Sequence, residues 1–165
     1  MRLREWVESD LDVLRAINVP EMKEHLGGPE SEERLLRRHR RYVEETAAGT
    51  MFMRVVEVDG AAAGSAGFWP ARHDDEDVYE AGWHILPAFQ GRGLAAAAAL
   101  MLVEQARDRG DRTALHAYPY VANVASNRTC RRAGFVLVGE RDHEFPPGQW
   151  MRVNDWRLAL GSPAG

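Results

Sequence analysis

The sequence predicts a mixed α/β sheet, and three observations carry that prediction. The first half reads as a strand, two helices and then strands, two of them joined at Asp59-Gly60, a pair that tolerates the positive φ of a tight hairpin. The middle holds one strand–helix–strand crossover, in which a strand stopped by Pro87 leads through Gly93 into an alanine-rich helix and a further strand. A short helix and two closing strands end the order, with no internal repeat and no linker that would divide the chain. Residues 1–165 therefore read as a single domain, with a core over about 2–160 and a loose tail from Gly161.

The elements follow in order. Arg2 to Val7 alternates as a first strand, and Ser9 with Asp12 three residues on reads as the N-cap of a short helix to about Ile17. His25-Leu-Gly-Gly-Pro-Glu30 is a cluster of breakers, hence a loop. From about Ser31, Leu35, Leu36, His39, Tyr42, Val43 and Thr46 recur at helical spacing until Gly49. Met51 to Val58 and Ala61 to Trp69 form the hairpin. An acidic loop, His73 to Asp77, then leads to a strand from Val78 to Leu86. The alanine-rich helix ends at Gly110, with Arg107 and Arg109 in its last turn to complement the helix dipole. Thr113 to Tyr118 is a strand, and Asn123 to Ala133 a helix closed by Gly134. Phe135 to Gly139 and Trp150 to Leu160 are strands around a Pro-Pro-Gly turn.

Composition narrows the function classes. With 45% hydrophobic and 28% charged residues the chain matches globular averages, which excludes disorder and collagen-like repeats. A net charge of -4 gives no global attraction to nucleic acid or to anionic membranes. Cys130 stands alone, so no disulfide framework is expected, and the first residues have no signal-peptide core. The longest apolar run, Leu94 to Val103, is half of a membrane span. The expectation is a soluble, cytoplasmic protein. Lys23 is the only lysine, which reads as codon bias without functional content.

The informative stretch is His84-Ile-Leu-Pro-Ala-Phe-Gln90-Gly91-Arg92-Gly93-Leu94-Ala95. It sets two glycines between a strand and a helix, where backbone amides can converge on an anion and the helix dipole favours phosphate. Gly91-Arg-Gly93-Leu-Ala-Ala96 also satisfies the dinucleotide fingerprint. However, the strand Thr113 to Tyr118 ends without the acidic residue that would hold a ribose, and the remaining chain is too short for that fold. A Walker loop is excluded because no Gly-Lys-Ser/Thr occurs.

A third reading covers more of the chain. Gln90-Gly-Arg-Gly93-Leu-Ala95 resembles the Q/R-x-x-G-x-G/A loop of the GNAT superfamily of N-acetyltransferases. Glu80-Ala-Gly-Trp-His-Ile-Leu-Pro looks like its splayed fourth strand. Asn123-Val-Ala-Ser126-Asn-Arg with Gly134-Phe135 resembles its second cofactor motif, and Asn154-Asp-Trp-Arg-Leu the last strand of the ribosomal-protein N-terminal acetyltransferase branch. The resemblance spans residues 2 to 160. It implies a GNAT fold whose mixed, mostly antiparallel sheet splays at the acetyl-CoA site, and acetyl transfer to a primary amine by direct attack in a ternary complex. The acceptor would be a small-molecule amine or a peptide N-terminus, with no metal, and superfamily members often form homodimers. Two rival readings remain, a non-catalytic acyl-CoA-binding module and a transferase using another acyl donor.

The resemblance also assigns residues. The amides of Gln90, Gly91, Arg92, Gly93, Leu94 and Ala95 would bind pyrophosphate, and the strand backbone at Ile85 and Leu86 would pair with the pantetheine arm. Arg92 is either a further phosphate contact or a solvated loop arginine. Asn123 matches the asparagine near the pantetheine while also opening a helix as an ordinary N-cap, and Ser126 matches a small polar residue nearby. Glu80 occupies the place of the glutamate general base. By alternation it shares a face with Gly82 and His84, and burial between Tyr79 and Trp83 would raise its pKa usefully; the alternative is a structural carboxylate held by an arginine. His84 is the second candidate for a proton relay. Cys130 stands where many members place a tyrosine acid, so Ser126 is preferred over Cys130 as donor to the leaving thiolate.

Other features read as structure. Arg34, Arg37, Arg38, Arg40 and Arg41 form a solvated helix face balanced by glutamates. The six histidines show no paired metal spacing. The acidic loop from Asp74 to Asp77 is expected either to attract a cationic acceptor or to be a solvated hairpin tip. Trp69, Trp83, His25 and Trp150 are candidate pocket walls.

Overall fold

The structure is a computed structural model and describes residues 1–144 and 148–161, without the His25 side chain. The Pro-Pro part of the expected turn and the tail beyond Gly161 lie outside the described residues. Seven strands form one sheet: β1 (Arg2–Glu5), β2 (Phe52–Val58), β3 (Ala61–His73), β4 (Glu76–Ile85), β5 (Ala114–Ala117), β6 (Val136–Glu144) and β7 (Trp150–Ala159). Their order is β1-β2-β3-β4-β5-β7-β6, antiparallel everywhere except between β4 and β5. The helices are α1 (Leu11–Ile17), α2 (Pro20–Lys23), α3 (Glu32–Ala47), α4 (Leu94–Arg109) and α5 (Val124–Arg132).

Two apolar layers hold the sheet. On one face α1 and α3 bury Leu14, Ile17 and Leu35 against Met53 and Val55 of β2. On the other, Ala98, Ala99, Leu102, Val103 and Ala106 of α4 lie on Phe68, Tyr79, Ala81 and Ile85. Small side chains along α4 allow the helix to approach the sheet closely, which suits a strand whose other edge must open.

Several boundaries differ from the sequence expectation. The β3–β4 hairpin is longer, running to His73↔Glu76 through a turn at Asp74 and Asp75 with φ of 44° and 70°. Pro70 does not break β3: β2 has already ended at Phe52↔Phe68, so no neighbour requires the missing N–H. The expected acidic loop is thus strand ends around a two-residue turn. Ser9 is not an N-cap but sits in the 3-10 turn Glu8–Asp10. It is the Asp10 carboxylate that accepts the Val7 N–H at 2.8 Å and two bonds from Arg4 at 2.7 and 2.9 Å. The short α2 was not foreseen in the sequence, and β6 runs five residues past Gly139.

Candidate active site

The loop after β4 is set by its glycines. Phe89 N–H bonds the Leu86 carbonyl at 2.8 Å and the Gln90 side chain donates to the Ile85 carbonyl at 2.9 Å, folding the chain back before α4. Gly91 and Gly93 have φ of +74° and +76°, a region costly for other residues, and a Cβ on either would meet nothing within 4 Å. The 16-residue α4 then starts at Leu94 with no acidic residue in its first turn, so its positive end faces open space. Arg92 is exposed, its guanidinium 5.7 Å from the Phe89 ring.

Beside this loop the sheet splits. β4 pairs with β3 from Gly64↔Ile85 onward, but with β5 only at Tyr79↔Leu115 and Glu80↔His116. The Leu86 N–H donates to the Ala63 carbonyl at 2.8 Å. Antiparallel alternation then turns the backbone groups of Glu80, Gly82 and His84 toward β3 and those of Ala81, Trp83 and Ile85 toward the opening. Gly64 keeps the pairing tight, because a Cβ there would lie 2.0 Å from the His84 carbonyl oxygen.

Glu80 is the last β4 residue paired with β5 and stands at the head of the split. It is half-buried, and burial raises its pKa to about 7 against an opposing hydrogen bond from Trp69, its cross-strand neighbour. His84 lines a small cavity with Trp69, Ser65, Gly82 and Arg38. Burial, with the charges of Lys23 and Arg38, pushes its pKa down to about 3, so the imidazole stays neutral at ordinary pH.

A polar network lies at the β3, β5 and β7 junction. Asp155 bonds His116 Nδ1 at 2.8 Å and lies 3.4 Å from His73 Nε2, while His73 Nδ1 meets the Tyr118 hydroxyl at 2.8 Å. Burial and the negative charges of Asp155 and Glu80 hold the Tyr118 phenol above its usual range, which ties the network electrostatically to Glu80. His73, His116 and Asp155 each offer a ligand atom within 4.8 Å of the others. The Arg141 guanidinium already fills the cationic place, 2.6 Å from His73 Nδ1 and 3.7 Å from Asp155, so a metal there would have to displace it.

A further cleft of about 290 Å³ opens between α2, the start of α3 and Gln149. Lys23, Arg34 and Arg38 line it, with Glu30 as the one acidic residue among its lining residues.

The family profile described as acetyltransferase (GNAT) domain matches residues 1–136. The chain belongs to the GNAT acetyltransferase family. It is 42% identical over 57 residues to an uncharacterized N-acetyltransferase, YjgM, of Escherichia coli K12; that match covers 34% of this chain and only 34% of that protein's length. Its fold is similar to RimL, a ribosomal L7/L12 alpha-N-protein acetyltransferase solved with coenzyme A (21% identity, 95% of this chain and 92% of that one, TM-score 0.78). It is also similar to the ribosomal-protein-alanine N-acetyltransferase of Brucella melitensis (23% identity, 96% and 99% covered, TM-score 0.77).

Within this GNAT fold, the residues from Gln90 to Ala95 form the loop just described. The Ile85 N–H lies on the open edge while its carbonyl is taken by Gln90, and the Leu86 N–H is engaged by Ala63. The Asn123 side chain accepts the Ser126 N–H at 3.0 Å, so it caps α5, and Ser126 is half-buried in that first turn. Cys130 is fully buried and its thiol is pushed up to about 12, unsuited to proton donation. Of the candidate walls only Trp69 lines a described cavity. Trp83 packs on the opposite face against Phe135, Trp150 is exposed, and the His25 side chain lies outside the described residues. The acidic tip is matched by arginines, Asp75 and Asp77 by Arg72 and Asp74 by Arg141.

Sequence reasoning missed Lys23, Arg38, the His73–His116–Asp155 network and Asn127. The Asn127 amide donates to the Asn123 carbonyl at 2.8 Å while its oxygen accepts from Asn154 and Trp156 at 2.7 and 2.8 Å, fastening α5 to β7. The signal for Lys23 was its solitude among arginines; the others are joined only by folding.

Proposed function

We propose that this chain transfers the acetyl group of acetyl-CoA to a primary amine by direct attack in a ternary complex. The observation that carries the reading is the split between β4 and β5, which begins at Glu80 and opens toward the double-glycine loop. The loop amides and the α4 N-terminus would hold the pyrophosphate, and the open edge at Ala81, Trp83 and Ile85 would hold the extended pantetheine arm, placing the thioester near Glu80.

Glu80 then serves as general base. A pKa of about 7 leaves it half ionised at neutral pH yet basic enough to take a proton, directly or through one water. The amine nitrogen attacks the thioester carbonyl carbon, the C–S bond breaks, the amine proton passes to Glu80, and the thiolate takes a proton from Ser126 or solvent. His84 remains neutral and lines the acceptor side. Calorimetric titration with acetyl-CoA, followed by an amine screen for thiol release, tests this reading. Binding without amine-dependent thiol release would indicate a non-catalytic module, and absence of binding would remove the cofactor assignment.

A further inference from the structure

The cleft beside α2 has a composition that the transfer chemistry does not require. Lys23 is 2% exposed, yet among the described residues its side chain makes no hydrogen bond and no ion pair. Arg38 Nη2 approaches Glu30 at 2.5 Å, but out of line for a hydrogen bond, so Arg38 Nε and Nη2 have no hydrogen-bond partner among the described residues. Arg34 is exposed at the rim, with no side-chain partner among the described residues. Three cations therefore converge on a concave space with one carboxylate to oppose them, in a chain whose net charge is -4. Holding an ammonium that has no ion pair among the described residues beside a guanidinium is costly; burial and the charge of Arg38 depress Lys23 to about 8 against the opposing charge of Glu30.

The cleft adjoins the smaller cavity beside β4 at Arg38. Arg38 lines both it and the smaller cavity walled by Trp69, Gly82 and His84, and the charges of Lys23 and Arg38 reach His84. Trp69 pairs across the strands with Glu80. One molecule reaching past Arg38 would have one end at Lys23 and the other on the β4 face that carries Gly82, His84 and Glu80.

We infer that the acceptor is a small zwitterionic amine, whose carboxylate or phosphate group is bound by Lys23, Arg34 and Arg38 while its amine faces Glu80. This rests on the amine-transfer reading above and adds the acceptor's class to it. Oxo-anions suit the site because a guanidinium offers paired N–H donors and the ammonium a point charge. In the acidic hairpin tip, the sequence-level reason to expect a cationic acceptor, Asp74, Asp75 and Asp77 are paired with Arg141 and Arg72 instead.

Two measurements on the full chain test the inference and separate its failure from that of amine transfer. First, thiol release is measured for matched acceptors: amino acids against their amides, and phosphorylated amino alcohols against the parent alcohols. We expect kcat/KM to favour the anionic member about 10- to 100-fold, and this ratio to fall toward one in Arg34→Gln and in Lys23→Met. Equal rates within the pairs, a preference for neutral peptide N-termini, or a ratio that survives both substitutions would overturn the inference. Second, because Lys23 is the only lysine, isotopic labelling of lysine gives a single side-chain signal in the spectrum. Inorganic phosphate or an N-acetyl amino acid should shift that signal and raise its titration midpoint, whether or not any amine is acetylated. A signal unmoved at saturating concentrations of both would overturn the anion site even if amines prove to be substrates.

Discussion

The two halves of the site are built by different means. The half proposed to hold the cofactor is a contiguous run, Ala81 to Ala95, in which the backbone would do the work: two glycines at positive φ, a helix N-terminus and a strand edge that β5 leaves beyond Glu80. The half proposed to hold the acceptor is assembled from side chains of α2, α3, β3 and β4, and its character is set by burial and charge. A loop of that first kind is set by local conformation and can be shared among relatives with different acceptors. A cleft of the second kind changes with single side chains, so it is where one member's specificity resides.

Substitutions can sharpen this contrast. The largest effect is expected from Gly93→Glu, which puts a carboxylate at the phosphate site and a side chain at φ +76°. Acetyl-CoA affinity should fall at least about 100-fold by calorimetry, with the fold retained by circular dichroism; unchanged affinity would move the cofactor elsewhere. Next comes Asp155→Ala, which leaves His116 and Arg141 without their buried carboxylate. Denaturant unfolding should show a loss of about 3 kcal/mol, with acetyl-CoA binding little affected because the network lies outside the Gln90–Ala95 loop.

Lys23→Met should have the opposite sign. The folded state holds this lysine near 8 against 10.5 in an unfolded chain, so its charged form destabilises the fold fully below pH 8. The variant should gain about 3 kcal/mol at pH 7, and the gain should fade between pH 8 and 10.5. A variant no more stable than wild type at pH 7 would mean that Lys23 has a partner. The smallest effect concerns Glu80→Gln. Because the Glu80 pKa is raised from 4.5 to about 7, ionised Glu80 weakens the fold above pH 7. The glutamine variant should be modestly the more stable at pH 8, an advantage that disappears on lowering the pH to 4.5; equal stability at both values would mean that Glu80 is not shielded from solvent.

Much of the fold was legible because its signals are local. Asp59-Gly60 marked the hairpin, Pro87 and the glycines marked the strand–loop–helix step, and alternation placed Glu80, Gly82 and His84 on one face. What escaped was context. Pro70 reads as a strand breaker until β2 is seen to end beside it, and Asp10 outcompetes Ser9 as a capping group because Arg4 holds it in place. The side-chain clusters were less legible still. His73, His116 and Asp155 are widely separated in sequence, and Arg38 looks like one more solvated arginine until α2 folds over it.

The most direct measurement is the pH dependence of amine-dependent thiol release for wild type and Glu80→Gln, at saturating acetyl-CoA. With Glu80 as base, the wild-type rate should rise through a midpoint near 7 and then level. The variant should be at least about 100-fold slower, without that midpoint. A variant that keeps both the wild-type rate and the wild-type profile would contradict the role of Glu80 at the head of the split.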